Sequence, residues 1–393
     1  MTNSYQGLAS YTTNEIAALQ ADYADKDGID AFKTAFKMTT DALEANSMPI
    51  EVVKTISTSG DAVEGGGSSN TGTVGMQGTD AYTLAQAYEI DGNSTYLTKA
   101  ETIMMDWAKG STPTSDPIAN AGLISMFDGY DMIRNSFTTA NQTTMDSWMQ
   151  SIGSNIITGQ GIEALSKGQS AINNHQSFAL EEVGTIGMVT GDTKDIQYLV
   201  NGFLKQVGEL HSFAGEPAAL GVDFNERHAI HYVAYNLQAL IGDAILIDRL
   251  ANVAGNPFHI NYNPFTVNVD GGSIQNTLGA LMPYETGALK STNEFSGSDD
   301  KNDSARIADG SLNKVYQPID GLPALQEAQY FTSTITANGT SYNLAQVAAT
   351  VMKGDHYSVL TTTEPNEHFL TSNIESASSH TLGLAGTSLT VTL

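Results

Sequence analysis

Apolar residues recur every three or four positions along most of the chain, the period of a helix with one buried face. Ile16, Leu19, Tyr23, Phe32, Phe36 and Leu43 carry that pattern through residues 12–45. It resumes over 79–90, turns at Asp91-Gly92-Asn93-Ser94, and continues over 94–109 until the break at 110–117. Further helical stretches are predicted at 119–135, 139–157, 160–168, 175–190, 193–211, 225–254, 272–283 and 342–353, with Thr190-Gly191-Asp192-Thr193 a second clear turn. Strand signals are few, so the pattern predicts an all-α array of paired helices rather than an α/β fold. Residues 57–80 are rich in Gly, Ser and Thr, and their length suggests a loop acting as a lid beside a cleft. Residues 285–320 read as polar and irregular, and the alternation in 380–393 predicts a short β-hairpin. No strong linker is visible. The expected division is a helical catalytic domain over 1–335 and a C-terminal extension over 336–393 holding a short helix and that hairpin.

Charge narrows the function. Against 17 Lys and Arg stand 43 Asp and Glu, a formal net charge of -26, which argues against nucleic acid as a partner. No apolar run reaches the roughly 18 residues a membrane-spanning helix needs, so no membrane partner is expected. The absence of cysteine removes disulfides, thiolate metal sites and a cysteine nucleophile. The first residues show no basic head followed by a hydrophobic run, so no secretion signal is visible. The abundance of Gly, Ser, Thr and Asn nevertheless suits an extracellular or periplasmic setting. Nothing in the pattern indicates an oligomeric state.

Two segments hold candidate chemistry. Asn173-Asn174-His175-Gln176 stands at the mouth of a predicted helix. The asparagines read as helix caps with His175 a first-turn surface residue, or as a polar site. The second segment runs from Asn225 to Leu237. On a helix, Ile230, Val233, Leu237, Leu240 and Ala244 form the core stripe, while His228, His231, Tyr232 and Tyr235 share another face, with Arg227 one turn before His231. A solvated face would carry Lys, Glu and Gln instead. The alternative is half-buried tyrosines with wet hydroxyls and a hydrogen-bonded histidine. Glu226, His228 and His231 lack the spacing of a metal site, and neither a P-loop, a GxSxG nucleophile elbow nor a dinucleotide fingerprint is present, so no metal or cofactor is expected.

Together the two segments resemble the alginate lyase superfamily of polysaccharide lyases, in which an Asn-Asn-His motif precedes, by about fifty residues, an Arg-containing helix with a Tyr-x-x-Tyr element. Asn173-Asn174-His175 and Arg227 with Tyr232-Val233-Ala234-Tyr235 stand in those places, and residues 81–108 and 269–284 are weaker matches. The resemblance covers roughly 80–285. It implies an (α/α) toroid, or incomplete barrel, and cleavage of an acidic, uronate-containing polysaccharide by β-elimination. It also implies roles: Asn174 and Arg227 bind and offset the substrate carboxylate, and His175 serves as base or as a further neutraliser. Tyr232, with Tyr235 as the alternative, protonates the leaving oxygen. Asn173, Gln176, His228 and His231 would line the substrate site, with Trp107 and Tyr284 stacking on sugar faces. Two departures stand out. Arg227 is five residues before Tyr232, so His228 competes for the arginine's place, and the family's early basic residue has only Lys54 as a candidate.

The chemistry explains the residue types. Removing the C5 proton of a uronate adds negative charge beside a carboxylate, so amide and cationic donors must first offset it. A base takes the proton and an acid supplies one to O4. Where C5–H and O4 lie on one side, as in mannuronate, one tyrosine can do both; in guluronate His175 would be base and tyrosine the acid. The resemblance leans toward mannuronate-rich alginate. Two rivals compete: a hydrolase on a similar toroid, using two carboxylates from Glu181, Glu182, Glu216, Asp223 or Glu226, and a non-catalytic glycan binder. A protein this acidic acting on a polyanion needs a locally basic cleft and screening of the remainder. Its activity on polyuronate should therefore rise from low to moderate salt, and a steep monotonic fall in the same titration would contradict that account.

Overall fold

The computed structural model describes residues 5, 7–25, 40–56, 70–167, 173–212, 218–220, 229–289, 316 and 318–355. Within them the chain is a succession of antiparallel helices. These are α1 (Thr13–Ala24), α2 (Thr71–Asp91), α3 (Ser94–Gly110), α4 (Pro117–Asn120), α5 (Leu123–Ile133) and α6 (Thr139–Lys167). There follow α7 (Asn174–Thr190), α8 (Thr193–Gly208), α9 (Ala229–Ala251), α10 (Ile274–Glu285), α11 (Leu322–Ala328) and α12 (Leu344–Asp355). Two small antiparallel hairpins interrupt the series, β1 (Leu210–Ser212) with β2 (Ala218–Leu220), and β3 (Thr334–Ala337) with β4 (Thr340–Asn343).

The pairing of helices follows from their turns. Helix α2 ends at Gly92, whose φ of 74° is left-handed, and Asn93 then caps α3 by accepting from the Thr95 amide at 3.0 Å. The same device joins α7 to α8. Gly191 has φ 78°, and Asp192 accepts from the Lys194 amide at 2.9 Å. A glycine that turns the chain, followed at once by a capping side chain, reverses direction within two residues.

Helix α7 is the hub, packing against α4, α5, α6, α8 and α9. It is buried on nearly every side, including Leu180, Val183, Ile186 and Val189. The predicted core stripe of α9, Ile230, Val233, Leu237, Leu240 and Ala244, is buried as expected. Ile230–Ala251 is long and apolar enough to cross a membrane by composition, but 72 % of that window is buried inside the protein, as a core helix requires. An N-terminal strap ties α5 to α9. The Asp131 carboxylate accepts from the amides of Gly7, Ala9 and Ser10 at 2.9–3.3 Å, while Arg249 donates to the carbonyls of Leu8 and Ala9 at 3.0 and 2.8 Å.

Several boundaries differ from the sequence reading. The expected loop over 57–80 is helical from Thr71 onward; residues 57–69 lie outside the described residues. Its glycines serve close packing rather than a loop. A β-carbon at Gly78 would collide with the Gly122 carbonyl oxygen, and one at Gly122 would lie 2.7 Å from the Gly75 Cα. The stretches 139–157 and 160–168 form one continuous helix, α6. The hairpin β3–β4 was not anticipated, although Asn338-Gly339 marks it; both residues take positive φ, 51° and 77°, as a tight two-residue turn demands. The expected division after residue 335 falls inside β3, which packs on α10. The C-terminal helix is present as α12, and the hairpin expected over 380–393 lies outside the described residues.

The glycine contact yields a test. Gly78→Ala should lower stability by about 1–3 kcal/mol in chemical denaturation, because backbone must move to admit the methyl group. Gly161→Ala, on a helix with nothing within 4 Å of the added carbon, should be neutral or slightly stabilising.

Candidate active site

The first turn of α7 is built by its own side chains. Asn173 is the N-cap and accepts from the Gln176 amide at 3.2 Å, while the Asn174 Oδ1 accepts from the His175 amide at 3.0 Å. Asn173 thus fills the capping role that its position suggested. Asn174 is buried, His175 is half-buried, and the Gln176 side-chain amide Nε2 donates to the Tyr198 hydroxyl of α8 at 2.9 Å.

One turn further, Ser177 of α7 donates its hydroxyl to Asn236 of α9 at 2.7 Å, a hydrogen bond between two fully buried side chains. Next to it, the Phe178 ring lies 4.6 Å from that of Tyr235. These contacts set the N-terminal part of α7 against the part of α9 that carries Tyr235 and Asn236. On α9 the rings form a cluster. His231 lies parallel to Tyr235 at 6.2 Å and edge-on to Tyr232 at 5.4 Å, and the two tyrosines are 6.4 Å apart at nearly a right angle. The His231 Nδ1 sits 3.4 Å from the carboxylate of Asp320, which precedes α11. Burial pushes the Tyr235 hydroxyl well above the usual phenol range, with Tyr232, Asp116 and Glu181 adding to the shift, so that hydroxyl holds its proton.

The remaining candidates divide. Trp107 is fully buried within the core beside α3's neighbours and has no face to offer a sugar, which corrects the expectation of a stacking role. Tyr284 is half-buried against the core near the end of α10. Lys54 is exposed. Arg227 and His228 lie outside the described residues, as do Glu216, Asp223 and Glu226. No group of His, Asp and Glu suited to a metal ion occurs among the described residues.

Behind the tyrosines the interior is acidic. Glu182 and Asp243 are fully buried, and burial holds both carboxyls well above their usual range, with Asp116 and Glu181 adding to the shift of the first and Glu181 to that of the second. Glu181 and Glu327 are raised in the same way, chiefly by burial. Glu182, one of the carboxylates available to a hydrolase, is thus sealed in the core and cannot flank a glycosidic bond. Asp320 escaped the sequence reading because it stands alone in a polar stretch with no motif around it.

Similarity to known proteins accords with this geometry. Residues 17–285 match the alginate lyase family. The chain belongs to that family. It is therefore a polysaccharide lyase. No curated protein matches it by sequence. The fold is similar to an alginate lyase from Bacteroides ovatus, with 17 % identity, a TM-score of 0.54, and coverage of 92 % of this chain and 97 % of the other. It is also similar to alginate lyase A1-III from Sphingomonas species A1, with 14 % identity, a TM-score of 0.55, and coverage of 88 % and 97 %. A variant of A1-III complexed with a tetrasaccharide aligns with a TM-score of 0.57 at 14 % identity, covering 90 % of this chain and 97 % of that one. The architecture of this lyase is thus the (α/α) toroid that the helical periodicity and the motifs together implied.

The buried carboxyls make the lyase's stability depend on pH. Asp131 is raised to about 6 and Glu285 to about 8, burial being the main cause for each. A carboxyl with a raised folded pKa binds its proton more tightly when folded. It favours the fold most below its unfolded pKa of about 4, and that contribution is lost as pH rises through the folded value. The melting temperature should therefore fall between pH 5 and pH 8.5, and Asp243→Asn should lessen the fall. A melting temperature that is flat or rises over that range would contradict the assignment.

Proposed function

We propose that this lyase cleaves mannuronate-rich alginate by β-elimination, with Tyr232 as the proton donor to O4. The observation supporting the proposal is the junction of α7 and α9, where the buried Ser177–Asn236 hydrogen bond and the Phe178–Tyr235 contact join the helix that begins at Asn174–His175 to the helix that carries His231, Tyr232 and Tyr235. In this reading the substrate carboxylate meets the N-terminus of α7, where the helix dipole and the Asn174 amide offset its charge. Arg227 supplies the cation that completes the neutralisation. With that charge offset, the C5 proton becomes acidic enough to be taken by a side chain.

On a mannuronate linkage C5–H and O4 share a side. Tyr232 in its phenolate form takes the C5 proton, the C4–O4 bond breaks as the C4=C5 bond forms, and the same hydroxyl returns the proton to O4. His175 offsets the carboxylate in this case; on a guluronate linkage it would be the base and Tyr232 the acid. Tyr235 is the weaker candidate for a residue that must give up its proton, because burial and its acidic neighbours favour the protonated hydroxyl. The tetrasaccharide complex of the A1-III variant supports an oligosaccharide as ligand for a fold of this kind.

The test follows the ultraviolet absorbance of the new C4=C5 bond during incubation with polymannuronate and polyguluronate separately. The wild-type protein should act faster on polymannuronate. Tyr232→Phe should slow turnover by roughly 10²–10⁴-fold, the usual contribution of a positioned acid or base. Near wild-type turnover by Tyr232→Phe would remove Tyr232 from the mechanism, and a faster reaction on polyguluronate would reverse the substrate assignment.

A further inference from the structure

The His231 ring packs against both tyrosines, 5.4 Å from Tyr232 and 6.2 Å from Tyr235, so whatever fixes it also fixes the neighbour of each. Its Nδ1 is 3.4 Å from the Asp320 carboxylate, and Asp320 comes from a part of the chain beyond the family match at 17–285. The carboxylate is itself held in place. Asp320 belongs to the 3-10 turn Pro318–Gly321, which packs against α9, α10, α11 and α12. On one side of the turn, the buried Tyr316 hydroxyl donates to the buried Glu285 carboxyl at the end of α10. On the other, Gly321 leaves room for that pair, since a β-carbon there would collide with the Glu285 carboxyl and lie 2.5 Å from the Tyr316 hydroxyl. The order of support thus runs from α10 through Tyr316 and Gly321 to Asp320, and from Asp320 to His231, whose ring is parallel to Tyr235 and edge-on to Tyr232.

We propose that Asp320 is a positioning residue of the lyase, acting through His231 to fix the imidazole against Tyr232 and Tyr235. The inference rests on the assignment of the tyrosine face as the site of elimination. A carboxylate facing Nδ1 favours the proton on that nitrogen and so selects one tautomer and one ring plane. An imidazole free to rotate about its χ2 would open the space beside Tyr232, and an acid misplaced by about 1 Å can cost on the order of a hundredfold in rate. The effect falls on the chemical step, because Asp320 acts on a wall of the reacting centre and carries a charge unsuited to binding a polyanion directly. Removing it should therefore lower kcat and leave KM little changed or lower.

The experiment is a double-mutant cycle with Asp320→Ala and His231→Ala, read as kcat and KM on polymannuronate, with Tyr232→Phe assayed in parallel. Asp320→Ala should lower kcat by roughly ten- to a hundredfold. It should have little further effect in the His231→Ala background, because its target is already gone. Asp320→Glu should recover part of the loss. Should the alanine variant fail to fold, Asp320→Asn, which keeps the shape and removes the charge, takes its place in the cycle. Near wild-type kcat for the Asp320 variant, a rise in KM alone, or the same fold-loss with and without His231 would each overturn the proposal. Loss of turnover in Tyr232→Phe alongside an unaffected Asp320 variant overturns only the role of Asp320. Retained turnover in Tyr232→Phe overturns the site assignment and this role with it.

Discussion

The buried hydrogen bond from Ser177 to Asn236 is the constraint on which the site depends. Both side chains are shielded from water, so breaking the pair would leave polar groups without partners in an apolar interior. The bond therefore fixes the register of α7 against α9. Two residues before Ser177 stands His175, three before it Asn174; on either side of Asn236 the helix carries its tyrosines on one side and the apolar Leu237 and Leu240 on the other. A slip of one turn along either helix would break this bond and shift the N-terminus of α7 relative to the tyrosines of α9. Packing reinforces the register through the Phe178–Tyr235 ring contact.

Much of this arrangement was legible in the sequence. The periodicity of Ile230, Val233, Leu237, Leu240 and Ala244 correctly placed one face of α9 in the core, which left His231, Tyr232 and Tyr235 on another. Asp91-Gly92-Asn93 and Thr190-Gly191-Asp192 marked their turns because a left-handed glycine and a capping side chain are local requirements. The failures came where the cause is tertiary. Gly75 and Gly78 resemble a flexible loop until Gly122 is seen pressed against them, and Trp107 resembles a sugar platform until its burial is known. Asp320 could not be found because its partner is far away along the chain. Asn338-Gly339 was different: the hairpin signal was present and local.

The acidity of the protein also takes on a structural meaning. Part of the formal charge of -26 is counted on buried carboxyls, among them Glu182 and Asp243, which burial raises well above their usual range, so burial works against ionisation there. This eases the conflict between an acidic protein and a polyanionic substrate.

The measurement that tests the central claim most directly is a crystal structure of the Tyr232→Phe protein with a bound mannuronate tetrasaccharide. The account predicts one sugar carboxylate within hydrogen-bond reach, about 3 Å, of the Asn174 amide, with the C5 and O4 atoms of the scissile linkage facing the ring at position 232. An oligosaccharide bound with its carboxylates away from the first turn of α7, or with its linkage remote from the tyrosine face of α9, would contradict it.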